Sequence, residues 1–212
     1  MSTTKRGRPI EYDRDLTLQR AGELFWSVGF GASSLDALSE ATAMTRPSLS
    51  GAFGDKQALY IATLERYRDT SAAAMTTILS AARPLRAELA EVYAKSTDAY
   101  LAPDDAARGC LLIGTASVEA VHRPAVRQVL QQSLGMFNTI LEERLRKAIA
   151  QGELGAGADA AGLASVATAV MHSLAVRARA GEPRAALDLL SKAAIDLICG
   201  GKYPADTQAA GN

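Results

Sequence analysis

The chain has 212 residues, 48% hydrophobic and only 5% aromatic, with 23 basic and 23 acidic side chains for a formal net charge of zero. That length allows one or two domains with substantial cores, while the charge balance removes any argument for nucleic-acid binding from net electrostatics alone. Two distant cysteines, Cys110 and Cys199, provide neither a disulfide framework nor a metal-ligand spacing, and no metal or cofactor is expected. Lys5, Arg6 and Arg8 lead into no apolar stretch of the signal-peptide kind, and no run of eighteen apolar residues marks a membrane span. A cytoplasmic chain is expected. Alanine is abundant, and Val/Ile/Thr clusters bounded by turn residues are nearly absent, which predicts an all-α fold.

In chain order, residues 16–28 form a first helix, with Leu18, Ala21, Leu24, Phe25 and Val28 at helical spacing and Gly29-Phe30 as its stop. Ser34 caps a second, short helix whose apolar side is Leu35, Leu38 and Ala41. A turn through residues 42–44 follows, with Met44 plugging the angle between helices. Thr45 then caps a third helix that carries Pro47 in its first turn, where a missing N–H is harmless. Gly54 ends it, and Asp55 caps a long helix from Lys56 to near Arg83-Pro84. Further helices are predicted over residues 85–101, 106–121 and 125–150. The last of these is apolar along Val126, Val129, Leu130, Leu134, Phe137, Ile140, Leu141 and Leu145. After a Gly-rich loop, 151–159, helices over 160–180 and 183–199 are joined only by Gly181-Glu182, which forces them antiparallel.

The short helix pair from Ser34 to Phe53 has the size of a helix-turn-helix, the unit that places a recognition helix in the DNA major groove. The surrounding pattern is long and ordered: Ala21-Gly22-Glu23-Leu24-Phe25, Gly29-Phe30, Ser34-Leu35, Leu38, Glu40-Ala41, Arg46-Pro47-Ser48-Leu49, Phe53-Gly54-Asp55-Lys56 and Ala58-Leu59. It resembles the DNA-binding domain of the TetR family of bacterial transcriptional regulators. The resemblance implies a DNA-binding domain at residues 1–55 and a helical effector-binding and dimerisation domain at 56–203. Residues 204–212 are expected to form a disordered tail. It also implies a repressor released from a palindromic double-stranded operator by a small molecule.

At the DNA end, residues 1–60 hold seven basic and seven acidic side chains, so placement must carry the argument. Arg46 opens the recognition helix, where an arginine reads guanine bidentately; a solvated surface charge or a phosphate contact is the alternative. Pro47 offers an apolar ring to a thymine methyl. Thr45 and Ser48 offer hydroxyls, and the helix starts at Ser34, Thr45 and Asp55 offer N–H groups to phosphates. Lys56 matches a family position that contacts phosphate. Ser50 stands where the family usually carries a tyrosine on the DNA backbone, Ala43 where it has a turn glycine, and Gly51 thins the recognition helix. These departures bear on operator affinity, and a helical dimer that acts through protein partners is the rival they suggest.

For the second domain the resemblance implies a pocket between helices, mostly apolar with a few polar groups. Candidate lining residues are Tyr93, Tyr100, Cys110, Ile113, Ser117, Met136, Phe137, Ile140, Met171 and His172, with core packing the alternative for each. Few charges fall on these faces, so a neutral, partly apolar effector is expected. Cys110 could instead serve an electrophile- or redox-sensing regulator, which requires a lowered thiol pKa and access. In the last two helices Leu163, Val166, Val170 and Leu174, with Leu187, Leu190 and Leu197, form stripes expected to pair with a second copy, because a protein reading two half-sites needs two-fold symmetry; the alternative is that both stripes face one intramolecular core. No phosphate loop, nucleophile elbow or His-Glu-x-x-His is present, so no enzyme is expected.

Overall fold

Residues 12–101 and 108–200 are described by a computed structural model, and among them the regular structure is helical throughout, with no extended strand. The basic residues Lys5, Arg6 and Arg8 and the tail 204–212 lie outside the described residues. Two compact units divide after Thr63, eight residues beyond the expected 55/56 boundary. The reason is local: the first turns of the helix starting at Lys56 supply Leu59 and Tyr60, both buried, to the aromatic core of the N-terminal unit.

In that unit α1 (Arg14–Ala32) starts at Asp13, whose carboxylate accepts from the Leu16 N–H at 3.0 Å. Gly29 breaks the helix at φ 79°, ψ 168°, a conformation open to a residue without Cβ. The break turns Phe30 inward, with ring centroids 6.1 Å from Phe25 and 5.0 Å from Tyr60. α2 (Leu35–Thr42) is capped by Ser34, whose hydroxyl accepts from the Ala37 N–H at 3.0 Å. α3 (Arg46–Phe53) is capped by Thr45, whose hydroxyl accepts from the Ser48 N–H at 3.3 Å. Between them Ala43 takes the left-handed conformation, φ 55°, ψ 29°, and its N–H donates to the Glu40 carbonyl. The Met44 sulfur accepts from the Thr17 hydroxyl at 3.7 Å, so it does fill the angle against α1. α4 (Lys56–Leu79) is capped by Asp55, which accepts from the Ala58 N–H at 2.8 Å.

The C-terminal unit contains the rest of α4, α5 (Leu85–Tyr100), a π-helical turn (Leu112–Ala116), the short α6 (Ser117–Glu119), α7 (Pro124–Ala150), α8 (Ala160–Arg179) and α9 (Arg184–Ile198). α8 packs against α5, α7 and α9. Its twenty residues have a mean hydropathy of 1.2 over the best window, enough by length and composition to cross a membrane; that apolarity is what a helix with neighbours on three sides requires. Fully buried Leu85, Leu89, Leu141, Leu145, Leu174 and Leu187 form the core. Within it Glu88 and Arg144 form a buried ion pair. Arg144 Nη2 also donates to the Glu153 carboxylate at 2.9 Å and to the Arg83 carbonyl at 3.1 Å. This network ties the segment before α5 to the loop after α7.

The regular helix expected over 106–121 is not what forms. Gly109 has φ 62°, and a Cβ there would lie 2.5 Å from the Ala175 carbonyl oxygen. The chain thus meets α8 at backbone contact, Cys110 precedes the helix, and the first turns open into the π-helix, in which Ser117 N–H reaches the Leu112 carbonyl.

Candidate nucleic-acid interface and effector pocket

The helix-turn-helix buries α3 through a single side chain, Leu49, while Phe53 is half-buried and meets Tyr12 edge-to-face with centroids 5.9 Å apart. Arg46, Pro47, Ser50 and Gly51 are exposed, so one whole side of the recognition helix is open. Thr45 and Ser48 share a hydroxyl–hydroxyl hydrogen bond of 2.9 Å, which occupies both at the helix start. Arg46 is held: Nε donates to Asp36 Oδ1 at 2.6 Å and Nη2 pairs with Oδ2. That bond keeps Asp36 below the ordinary carboxylate range and raises Arg46. Lys56 lies with Nζ 4.4 Å from the centroid of the Phe30 ring, so its stem is fixed by the aromatic core at the start of α4. The Ser34 hydroxyl is used as a cap, accepting from the Ala37 N–H at 3.0 Å.

The C-terminal unit contains a cavity of about 150 Å³ between α4, α5, α7, α8 and the π-turn. Six expected residues meet there: Tyr100, Cys110, Ile113, Phe137, Met171 and His172. Four do not. Tyr93 is core, its hydroxyl donating to the Ala167 carbonyl at 3.2 Å; Ser117 is exposed and returns its hydroxyl to the Ile113 carbonyl; Met136 is exposed; and Ile140 lies away from this cavity, beside Arg144. The π-turn moves Ser117 off the pocket side. The α4 wall, Tyr67, Ser71, Ala74, Met75 and Ile78, was not expected, although its spacing of i, i+4, i+7, i+8 and i+11 is one helical face.

The buried titratable groups that line the cavity, Tyr67, Tyr100, Cys110 and His172, are uncharged near neutral pH. Burial pushes the Tyr67 and Tyr100 hydroxyls well above the usual phenol range and lowers His172. Burial likewise raises the Cys110 thiol, outweighing the Tyr67 hydroxyl, 3.4 Å from Sγ, and the Leu112 and Ile113 N–H groups. A thiol so placed has the opposite of the lowered pKa that reactivity requires. Among the described lining residues Lys95 is the one cation, and it is exposed.

On α8 and α9 the expected stripes separate. Leu174 and Leu187 are fully buried within the protomer and belong to its core, because the helix pair turns them toward α5 and α7. Val166 and Leu197 are exposed and Leu163, Val170 and Leu190 half-buried; Val176 at 57% and Leu189 at 69% join them on the surface.

An open recognition helix and a largely apolar cavity between helices on one chain fit a helix-turn-helix transcriptional regulator. Residues 18–63 match a family model described as bacterial regulatory proteins of the tetR family, and residues 84–194 match the tetracyclin repressor-like C-terminal domain. The chain belongs to the TetR family. It is similar to the HTH-type transcriptional repressor ComR of Escherichia coli (strain K12), with 30% identity over 177 residues, 83% of this chain and 84% of that one. It is also similar to the HTH-type transcriptional repressor BdcR of the same organism, with 29% identity over 59% of this chain and 62% of that one. Among solved structures, a cysteine mutant of the TetR family transcriptional regulator CifR complexed with 26bp double-strand operator DNA shares 33% identity and a TM-score of 0.76, over 89% of this chain and 98% of that one. FadR from Bacillus subtilis in complex with stearoyl-CoA, at 16% identity and a TM-score of 0.73 over 90% and 100% of the two chains, shares the fold.

Proposed function

We propose that this regulator is a cytoplasmic homodimeric repressor that reads a palindromic operator through α3 and is released by a small neutral molecule in the cavity. The observation that carries the DNA half is the recognition helix itself, capped at Thr45, seated by Leu49 and exposed along Arg46, Pro47, Ser50 and Gly51. Relatives named as repressors and a CifR complex with operator DNA support it. Exposed Val166, Val176, Leu189 and Leu197 supply an apolar face for a second copy, and two-fold symmetry matches two half-sites.

The cavity narrows the effector. A space of about 150 Å³ equals the size of an engineered apolar cavity that takes up benzene, so the ligand is ring-sized. Its body packs on Met75, Leu112, Ile113, Phe137 and Met171, while the neutral hydroxyls of Tyr67 and Tyr100 serve an acceptor oxygen. A library of small aromatic ketones, ethers and phenols screened by thermal shift identifies binders. Each binder is then titrated against protein on a duplex recovered from a random-sequence pool. Competition with a coupling of about 1–3 kcal/mol is expected, and Tyr67→Phe with Tyr100→Phe should abolish the response without weakening DNA binding. A binder that fills the cavity and leaves DNA affinity unchanged would refute release.

A further inference from the structure

We propose that Asp36, on α2, sets the base preference of the recognition helix by holding Arg46 in one orientation, a role that rests on α3 being the DNA-reading helix. Asp36 sits in the first turn of α2 and Arg46 opens α3. The carboxylate engages one edge of the guanidinium at two points, Nε to Oδ1 at 2.6 Å and Nη2 to Oδ2. Two parallel bonds fix the plane of the guanidinium as well as its position.

A guanidinium has five N–H donors. The clamp uses the one on Nε and one on Nη2, leaving both on Nη1 and the outer one on Nη2. Of these, one donor on Nη1 and the outer one on Nη2 lie side by side at the tip, in the arrangement that guanine O6 and N7 accept. An arginine without the clamp swings through many rotamers, and its charge then rewards any phosphate it meets. Asp36 works against that second mode in two ways: it restrains the swing, and its own carboxylate, with a side chain 75% exposed, repels the DNA backbone. The pair has little other purpose. Both side chains are more than half exposed, and ion pairs so placed add little to stability.

A selectivity role therefore separates from a stability role in DNA binding. The test uses the full-length protein, selected on a random-sequence duplex pool, with the recovered bases read column by column for wild type, Arg46→Ala, Asp36→Ala and Asp36→Asn. Affinity for a duplex lacking the recovered motif is measured across a salt series. Wild type should recover a motif with a guanine column that Arg46→Ala flattens. Both Asp36 variants should weaken that same column by about tenfold or more, leave the other columns in place, and bind the motif-free duplex more tightly. Asp36→Asn keeps the side-chain volume, so a packing defect at the start of α2 is not confused with loss of the clamp. An unchanged guanine column in both Asp36 variants overturns the proposal while leaving α3 as the reader. Equal loss across all columns in both also overturns it, since that marks a displaced helix rather than a turned guanidinium. A wild-type protein that recovers no motif overturns the underlying DNA reading instead.

Discussion

Ala43 is held at φ 55°, ψ 29° in the turn between α2 and α3, and that single torsion makes a quantitative prediction. An L-residue in the left-handed well brings its Cβ close to the following carbonyl, at about 1–2 kcal/mol. Ala43 is exposed, so replacing its methyl by hydrogen removes the clash and loses no packing. Against this, Ala43→Gly loosens the unfolded chain by about 0.4–1 kcal/mol. The difference leaves a net stabilisation of up to about 1.5 kcal/mol, a rise in melting temperature of roughly 2–4 °C per kcal/mol for a chain of this size. The chain has one tryptophan, Trp26, and it lies on α1 in the same unit, so its fluorescence follows this unit during urea unfolding. The midpoint should rise with the slope unchanged. Ala82 has the same φ of 55° in the other unit, and Ala82→Gly serves as the matched control that leaves the Trp26 environment chemically untouched. A lowered Trp26 midpoint for Ala43→Gly would show that the turn does not occupy the left-handed well, and the strain argument would fail.

Arg144→Ala should destabilise the protein by about 3–5 kcal/mol, because it strands the buried Glu88 carboxylate; Arg144→Met combined with Glu88→Leu should recover most of that loss in urea melts. His172 is lowered by burial, so the folded state favours the neutral ring: its contribution is complete above the unfolded pKa of about 6.5 and is lost as pH falls through that value toward the folded one. His172→Asn should flatten stability across that window in a pH series of thermal melts. Burial raises Glu153, but the Leu85 N–H and Arg144 outweigh it and leave the carboxyl lowered. Its stabilisation is present above pH 4.5 and lost below it, and Glu153→Gln should remove that acid sensitivity. Ser50→Tyr should tighten binding to a recovered duplex by about tenfold through one charge-assisted hydrogen bond to the backbone, read by fluorescence anisotropy.

The DNA-binding unit was legible because its signals are local. Ser34, Thr45 and Asp55 each cap the helix that follows, and Gly29 and Gly54 mark breaks that only the backbone torsions of those residues decide. The partner of Arg46 was not legible. Asp36 lies ten residues away on another helix, and the angle of the turn, not a sequence spacing, brings the two together. In the C-terminal unit α8 and α9 are apolar or small on most sides, so periodicity could not separate Leu174 and Leu187, which face inward, from Val176 and Leu189, which do not. The α4 face of the pocket was written in the spacing of Tyr67, Ser71 and Met75, but Lys56 to Ile78 reads first as a bridge out of the DNA-binding domain. The π-turn follows the close approach of Gly109 to the α8 backbone, a tertiary contact that helical periodicity does not encode.

That π-turn is in effect one extra residue inserted into a pocket wall. The wider turn absorbs that residue locally, so deleting a single position between Leu112 and Ala116 would restore ordinary hydrogen bonding and leave everything beyond it in its present register, where the same deletion in a regular α-helix would turn the rest by about 100°. Val118, Glu119 and Val121 would keep their exposures. A one-residue length change here therefore reshapes the inner wall that meets a ligand, while the outer ridge at Val118 and Val121 stays in place.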